Sequence, residues 1–105
     1  MIGADTLERI APSDEVVAAF CRRWGIAELS VFGSILRDDF GPASDVDVLI
    51  SFAPDEHPSL FDLVAMRDEL TGIFGRSVDL VESEGLRNPF RRRSILDHRR
   101  ILYAA

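Results

Sequence analysis

Apolar residues recur along the chain with two periods, one typical of helices and one typical of strands. Helical spacing, at i, i+3, i+4 and i+7, runs through residues 13–24 and stops at Gly25. The same kind of spacing fills residues 59–74, where Ser59 and Asp62 form a capping-box pattern. A basic segment near the C-terminus predicts a third helix. The predicted helices cover residues 13–24, 59–74 and roughly 89–98.

Strand patterns lie between these helices. Residues 45–52 alternate between polar and apolar side chains with a period of two. The predicted strands cover residues 27–32, 45–52 and 76–82, and the apolar piece at 101–103 is a candidate for a sheet edge. A short helical segment is predicted over residues 35–40. We therefore expect an α/β fold with a small mixed sheet of three to four strands, with helices on one face and an acidic site on the other.

The composition is that of a globular domain. The chain has 105 residues, of which 47% are hydrophobic and 29% are charged, so residues 1–105 are predicted to form a single domain. No apolar run approaches the roughly 20 residues that cross a bilayer, so we expect no membrane contact. The lone Cys21 lies on the apolar stripe of the first helix. We expect it to be a buried thiol without a functional role, in a cytoplasmic protein.

Basic residues are concentrated at the C-terminal end. The net charge is −6, but residues 87–105 carry six Arg and one acidic residue, whereas residues 1–86 carry six Arg and 17 acidic residues. The acidic balance makes nucleic acid an unfavourable partner. The basic cluster has three interpretations that stay open: a solvated helix face, a contact with a nucleotide, or a surface that docks an acidic protein. It consists of Arg87, Arg91, Arg92 and Arg93.

Three aspartates are predicted to share one face of the sheet. Side chains on a strand alternate between faces, so Asp45 and Asp47 point the same way. The same alternation brings Asp79 to that face from the next strand. Because the chain has no Lys and clustered carboxylates repel one another, hard divalent cations are the natural partners, with Mg²⁺ as the first choice. His57 and His98 are interpreted as exposed polar residues outside this site.

A candidate phosphate-binding turn precedes the carboxylates. Gly33 permits close backbone approach, and Ser34 is expected to open a helix whose first amides hold phosphate oxygens. Arg37, one helical turn further on, can reach the same anion. A phosphate-holding turn, a carboxylate pair and a third carboxylate together fit metal-assisted phosphoryl transfer.

These residues resemble the DNA polymerase beta-like nucleotidyltransferases. The resemblance is carried by Gly33-Ser34, ten intervening residues, Asp45-x-Asp47, and Asp79 in a separate strand. Within that superfamily the chain resembles the minimal nucleotidyltransferases over about residues 29–103. The resemblance implies a polymerase-beta-like fold.

The resemblance also implies roles for the site residues. Asp45 and Asp47 would bind two Mg²⁺ ions, with Mn²⁺ as the alternative, and Asp79 would complete the first metal site and help to deprotonate the incoming hydroxyl. The triphosphate of ATP would be held by the remaining motif residues. The implied nucleotide-binding residues are Gly33, Ser34, Arg37 and Ser44.

Minimal nucleotidyltransferases often act as antitoxins. The resemblance therefore implies transfer of AMP from ATP to a tyrosine hydroxyl of a HEPN-domain toxin, with homo- or hetero-oligomers left open. One departure is Asp38, which stands where the family usually has Gly after the arginine of its first motif, with Asp39 next to it. An alternative is therefore a catalytically weak or inactive protein of this fold that neutralises its partner by binding alone. Modification of small molecules is a third reading, disfavoured because no second domain would hold such a substrate.

Overall fold

The computed structural model describes residues 7, 10–37, 40, 41 and 43–105. Asp38 and Asp39 lie outside the described residues. Within the described ranges no helix has the length and the apolar character to cross a membrane.

The predicted helices are confirmed together with their caps. The Ser13 hydroxyl accepts a hydrogen bond from a first-turn amide, and Gly25 ends the same helix with a φ of 69°. The predicted capping box is present, because the Ser59 and Asp62 side chains each accept a hydrogen bond from the other residue's amide, at 3.1 and 2.9 Å. Asn88 caps the third helix. The helices are α1 (Asp14–Trp24), α2 (Leu60–Phe74) and α3 (Pro89–Asp97).

Four strands form one mixed sheet, as predicted. They are β1 (Ile26–Phe32), β2 (Val46–Phe52), β3 (Val78–Glu82) and β4 (Arg100–Ala104). Their order across the sheet is β3-β2-β1-β4. β1 pairs antiparallel with both β2 and β4, whereas β2 pairs parallel with β3. The apolar piece proposed as a sheet edge is thus the edge strand β4.

The segment after β1 differs from the prediction. A helix was expected over residues 35–40, but a 3-10 helix covers Gly33–Leu36. The backbone of Arg37 is already extended, with φ −122° and ψ 171°, and its amide donates to the Ser34 carbonyl at 2.9 Å. An α-helix needs several consecutive turns to offset its nucleation cost.

The main core lies between one face of the sheet and helices α1 and α2. It includes Val17, Phe20, Cys21, Val46, Val48, Ile50, Met66, Leu70 and Val78, among other residues. Burial raises the pKa of the Cys21 thiol to about 12, against the smaller opposing effect of Arg22. The expectation of a buried thiol is therefore confirmed.

A second, smaller core covers part of the opposite face. Ile95 of α3 packs there with Phe32, Leu49 and Leu86. The expectation that all helices lie on one face is wrong in this respect. The physical reason is that Leu49 and Val81 follow Asp47 and Asp79 at a spacing of two residues, so the acidic face becomes apolar two residues into each strand and must be covered.

Candidate active site

The residues predicted for the site lie at one end of the sheet, where β1 ends and the other three strands begin. Because β1 runs antiparallel to β2 and β4, and β2 runs parallel to β3, the end of β1 lies beside the starts of the other three strands. Phe32 at the end of β1 is paired with Asp47, and Val31 is paired with Arg100. Across this end of the sheet the order is therefore Asp79, Asp47, the turn at Gly33, and then Arg100.

Two of the three carboxylates come from adjacent strands, and the third, Asp45, directly precedes β2. Asp47 and Asp79 are direct register partners on β2 and β3, so their side chains leave the same face. Asp45 precedes Asp47 by two residues. The intervening Val46 and the β3 residue Val78 are buried in the main core, which fixes the opposite orientation for the aspartates.

Asp47 is the electrostatic centre of this cluster. The pKa of its carboxyl is raised above the ordinary value, first by burial and then by the charges of Asp79 and Asp45. Arg37 and Arg91 lower the same pKa, but they do not offset those effects. The site therefore holds an excess of negative charge around a half-buried carboxylate.

The donor set fits a hard divalent cation. Among the described residues, no three acidic, His or Cys side chains already converge tightly enough to enclose an ion. The fit rests on chemistry, because the available donors are carboxylate oxygens, the ligands that Mg²⁺ and Mn²⁺ prefer. Burial is the largest cause of the raised pKa of Asp47, and a cation would relieve the repulsion by Asp79 and Asp45 that adds to it. Asp45, Asp47 and Asp79 are the residues that would hold it.

Gly33 lies in direct contact with Asp47. Its φ is +77°, in the left-handed region that side-chain-bearing residues rarely adopt. A Cβ atom at this position would lie 2.2 Å from Oδ2 of Asp47. Glycine is therefore required here both by the backbone angle and by the neighbouring carboxylate, and the turn and the acidic cluster form one continuous site.

The candidate phosphate-binding turn contains a shorter helix than the sequence suggested. Ser34 lies in a 3-10 helix of four residues, so the dipole of a longer helix does not contribute. Any phosphate at this turn would be held by local backbone amides, the Ser34 hydroxyl and Arg37.

Ser44 closes the loop that leads into Asp45. Its hydroxyl accepts a hydrogen bond from the Gly41 amide at 3.0 Å, and its own amide donates to the Gly41 carbonyl at the same distance. This structural bond accounts for the position of Ser44. The hydroxyl hydrogen remains able to donate to a ligand.

Arg76 fastens the same loop, and sequence reasoning did not single it out. Its Nη2 donates to the Gly41 carbonyl at 2.8 Å, and its guanidinium lies 4.5 Å from the centre of the Phe40 ring. The following residue, Ser77, accepts a hydrogen bond from the Val46 amide at 2.9 Å. The start of β3 thus holds the chain on both sides of Asp45. Because Arg76 and Gly41 are 35 positions apart, no spacing pattern in the sequence indicates their contact.

A cavity of about 610 Å³ adjoins the turn. It lies between the Gly33–Leu36 helix and the junction of α3 with β4. Its lining residues are Phe32, Gly33, Leu36, Arg37, Ser94, Ile95, His98, Arg99 and Arg100. His98 is exposed, as expected, but it lines this cavity and was not assigned to the site. The basic segment therefore contributes to the surroundings of the turn.

The arginine cluster itself divides among different contacts. Arg91 lies close enough to Asp47 to lower its pKa. Arg92 donates to the Ser83 carbonyl at 2.7 Å. Arg93 is highly exposed and lies 3.7 Å from Asp97.

Comparison with known families agrees with this geometry. Residues 13–102 match the nucleotidyltransferase domain family. The chain belongs to this family. The match includes the glycine–serine turn, all three aspartates and most of the basic C-terminal segment.

One relative of this nucleotidyltransferase is named a protein adenylyltransferase, and a similar solved structure is that of a minimal nucleotidyltransferase. Protein adenylyltransferase MntA of Thermococcus cleftensis is 38% identical over 66 residues, which cover 63% of this chain and 65% of that protein. A solved chain assigned to the minimal nucleotidyltransferases has a TM-score of 0.69 and 30% identity, and the match covers 94% of each chain. This agreement confirms the family resemblance and the fold class.

More distant solved structures share the fold. A chain from a Shewanella oneidensis complex of a tri-AMPylated HEPN toxin with an MNT antitoxin matches with a TM-score of 0.63 and 14% identity, over 88% of this chain and 70% of that chain. A chain of a toxin-antitoxin structure with AMP-PNP matches with a TM-score of 0.70 and 14% identity, over 89% of this chain and 74% of that chain. At this identity the likeness concerns the fold alone.

Proposed function

We propose that this nucleotidyltransferase is a metal-dependent protein adenylyltransferase. It transfers AMP from ATP to a tyrosine hydroxyl of a HEPN-domain toxin and thereby acts as the antitoxin. The observation that carries the proposal is the register pairing of Asp47 with Asp79 next to the Gly33 turn. In this arrangement a phosphate-binding turn and a cation-binding cluster would lie side by side at one end of the sheet.

The reaction is a displacement at the α-phosphorus of ATP. The acceptor oxygen forms a bond to this phosphorus, the bond to the bridging oxygen of the β-phosphate breaks, and pyrophosphate leaves with the electron pair. Gly33, Ser34 and Arg37 bind and orient the triphosphate, with the Ser44 hydroxyl as a further donor. Asp79 accepts the proton of the hydroxyl.

We assign two Mg²⁺ ions to Asp45, Asp47 and Asp79, with Mn²⁺ as a substitute. When bound, they neutralise the charge that develops on the phosphate oxygens. The register pairing of Asp47 with Asp79 supports this assignment, because the charges of Asp79 and Asp45 add to the effect of burial in raising the pKa of Asp47.

Further observations support the proposed acceptor and the proposed compartment. A relative described as a protein adenylyltransferase and a fold match in a complex with an AMPylated HEPN toxin support a protein acceptor. The exposed arginines of α3 provide a basic surface for an acidic partner. The buried free thiol of Cys21 fits a reducing compartment, so we assign the protein to the cytoplasm.

Labelled ATP tests this proposal directly. The protein is incubated with Mg²⁺ and a HEPN-domain protein from the same organism, with ATP labelled either at the α- or at the γ-phosphate. We expect the α-label to enter the HEPN protein at tyrosine and the γ-label to be released as pyrophosphate. Transfer of the γ-label would show a kinase reaction and contradict the proposal. Protection of the HEPN protein without any label would favour the binding-only alternative.

A further inference from the structure

An exposed apolar surface lies at the start of α2. Leu60 and Phe61 are 74% and 86% exposed, and Val64, one helical turn further along, is exposed as well. Contact with another molecule removes such a surface from water, which is favourable, and soluble proteins rarely leave large apolar side chains grouped together without a partner. These three residues therefore mark a candidate contact surface.

A groove of about 210 Å³ borders these residues. It lies between α2 and β3, and β3 is an edge strand of the sheet. Most of its described lining is apolar, and the set is Leu60, Leu63, Val64, Arg67, Leu80 and Glu82. A closed apolar cavity of about 150 Å³ holds a benzene molecule. The groove is therefore large enough for the ring of one aromatic side chain.

The same surface carries a side chain that fits the groove. Phe61 follows Leu60 in the chain, but it is not among the residues that line the groove, and its ring is exposed to solvent. A protruding ring and a groove of suitable size thus lie side by side on one molecule. When a two-fold axis relates two copies at such a surface, each ring enters the groove of the other copy, and the contact closes as a dimer.

The charges of the groove suit contact between two copies. A protein with a net charge of −6 repels its own copies over most of its surface, but the groove carries one basic and one acidic side chain, Arg67 and Glu82. Around a two-fold axis, Arg67 of one copy can face Glu82 of the other, so unlike charges meet twice. The exposed ion pair of Arg67 with Asp68 contributes little to stability, and Arg67 can exchange it for this contact.

We propose that two copies of this chain form a two-fold symmetric dimer, in which Phe61 of each copy occupies the groove between α2 and β3 of the other. The dimer leaves the carboxylate cluster open. Side chains alternate along β3, so Leu80 and Glu82 lie on the face opposite to that of Asp79. Association does not require AMP transfer, and the dimer is therefore independent of the proposed function.

Sedimentation equilibrium of the full chain over the micromolar range tests the dimer. We expect the wild type to show a reversible equilibrium between monomer and dimer. Phe61→Ala should weaken the dimer about a hundredfold or more, because each dimer loses two buried aromatic side chains. Circular dichroism should show an unchanged fold, since the Phe61 side chain is almost fully exposed in the single chain.

Further variants make the comparison specific. Phe90→Ala is the matched control, because Phe90 at the start of α3 is 85% exposed and does not line the groove, and its dimer should be as stable as that of the wild type. Arg67→Glu and Glu82→Arg should each weaken the dimer by bringing like charges together. The combined variant Arg67→Glu/Glu82→Arg restores the unlike pairs, so it should recover most of the lost affinity.

Three results would overturn the dimer. The first is a wild type that stays monomeric throughout the concentration range. The second is a dimer that Phe61→Ala leaves intact, or that Phe90→Ala weakens to the same extent. The third is a monomeric wild type that needs Phe61 to bind a HEPN-domain protein, which would assign this surface to that partner. Loss of the dimer in Phe61→Ala together with its recovery in the combined charge reversal would uphold the two-fold contact, whether or not the protein transfers AMP.

Discussion

At the scale of single residues, the contact between Gly33 and Asp47 requires glycine at position 33. The left-handed backbone at Gly33 costs a side-chain-bearing residue about 1–2 kcal/mol, and a new Cβ would also displace the Asp47 carboxylate. We expect Gly33→Ala to lower the free energy of unfolding by at least this amount and to reduce AMP transfer, as measured by urea denaturation and by label transfer.

Gly72 provides the matched control for this substitution. It lies inside α2, and a Cβ there meets no atom within 4 Å. Gly72→Ala should raise the free energy of unfolding by roughly 0.5–1 kcal/mol because alanine favours the helix. Equal behaviour of the two variants would contradict the special role of Gly33.

Asp47 makes a second prediction, which concerns pH. Its pKa is raised in the folded chain. Such a carboxyl stabilises the fold at pH values below its unfolded pKa, and this contribution is lost as the pH rises through the folded pKa. We therefore expect Asp47→Asn to increase the free energy of unfolding at pH 7 without divalent cations. The increase should be on the order of 0.5 kcal/mol, as is typical of partly solvated charges.

Denaturation at two pH values checks this sign. The gain from Asp47→Asn should shrink at about pH 3, where the carboxyl is protonated in both states. Asp55→Asn, in an exposed loop, serves as the control and should show no comparable gain. A loss of stability in Asp47→Asn at pH 7 would mean that the carboxylate is held by favourable contacts instead.

At the scale of elements, the loop before β2 depends on the start of β3. Removal of the Arg76 guanidinium would release the Gly41 carbonyl and the Phe40 ring, and Asp45 would lose its fixed position. We expect Arg76→Ala to reduce kcat for AMP transfer roughly ten- to hundredfold and to raise the Mg²⁺ concentration needed for half-maximal rate.

Two other substitutions test whether Arg76 acts by positioning the loop before β2. Arg76→Lys retains a donor but loses the planar guanidinium, so its kcat should be intermediate. Arg67→Ala removes an exposed arginine of α2 and should leave the kinetics unchanged. Unchanged Mg²⁺ dependence in Arg76→Ala would show that the loop does not control the cation site.

Local signals made most of these elements predictable. The Ser59 capping box, the end of the first helix at Gly25 and the alternation in β2 each depend on neighbours within a few residues, and all were confirmed. The segment after Phe32 was predicted as a helix over residues 35–40, but the left-handed backbone at Gly33 and the extended backbone at Arg37 bound a shorter 3-10 helix. The contact of Arg76 with Gly41 depends on the register of β3 and leaves no local signal.

At the scale of the whole molecule, strand order determines the charge pattern of the site. The sequence predicted that the three aspartates share a face, because period-two alternation suffices for that conclusion. It did not predict that the basic segment, through β4, pairs with the other side of β1. That pairing brings Arg100 to the end of the sheet that carries Asp47. Covering of the acidic face by α3 also follows from this topology.

In the proposed reaction, the carboxylates of Asp45, Asp47 and Asp79 form one metal-dependent centre for AMP transfer. The most direct test is label transfer from α-labelled ATP by the Asp45→Asn/Asp47→Asn variant, with circular dichroism to verify the fold. The control variant is Asp55→Asn/Asp68→Asn, which removes two exposed aspartates elsewhere. We expect transfer to fall by more than about a thousandfold in the first variant and to remain at the wild-type rate in the control. Retained transfer by a folded Asp45→Asn/Asp47→Asn variant would contradict the account.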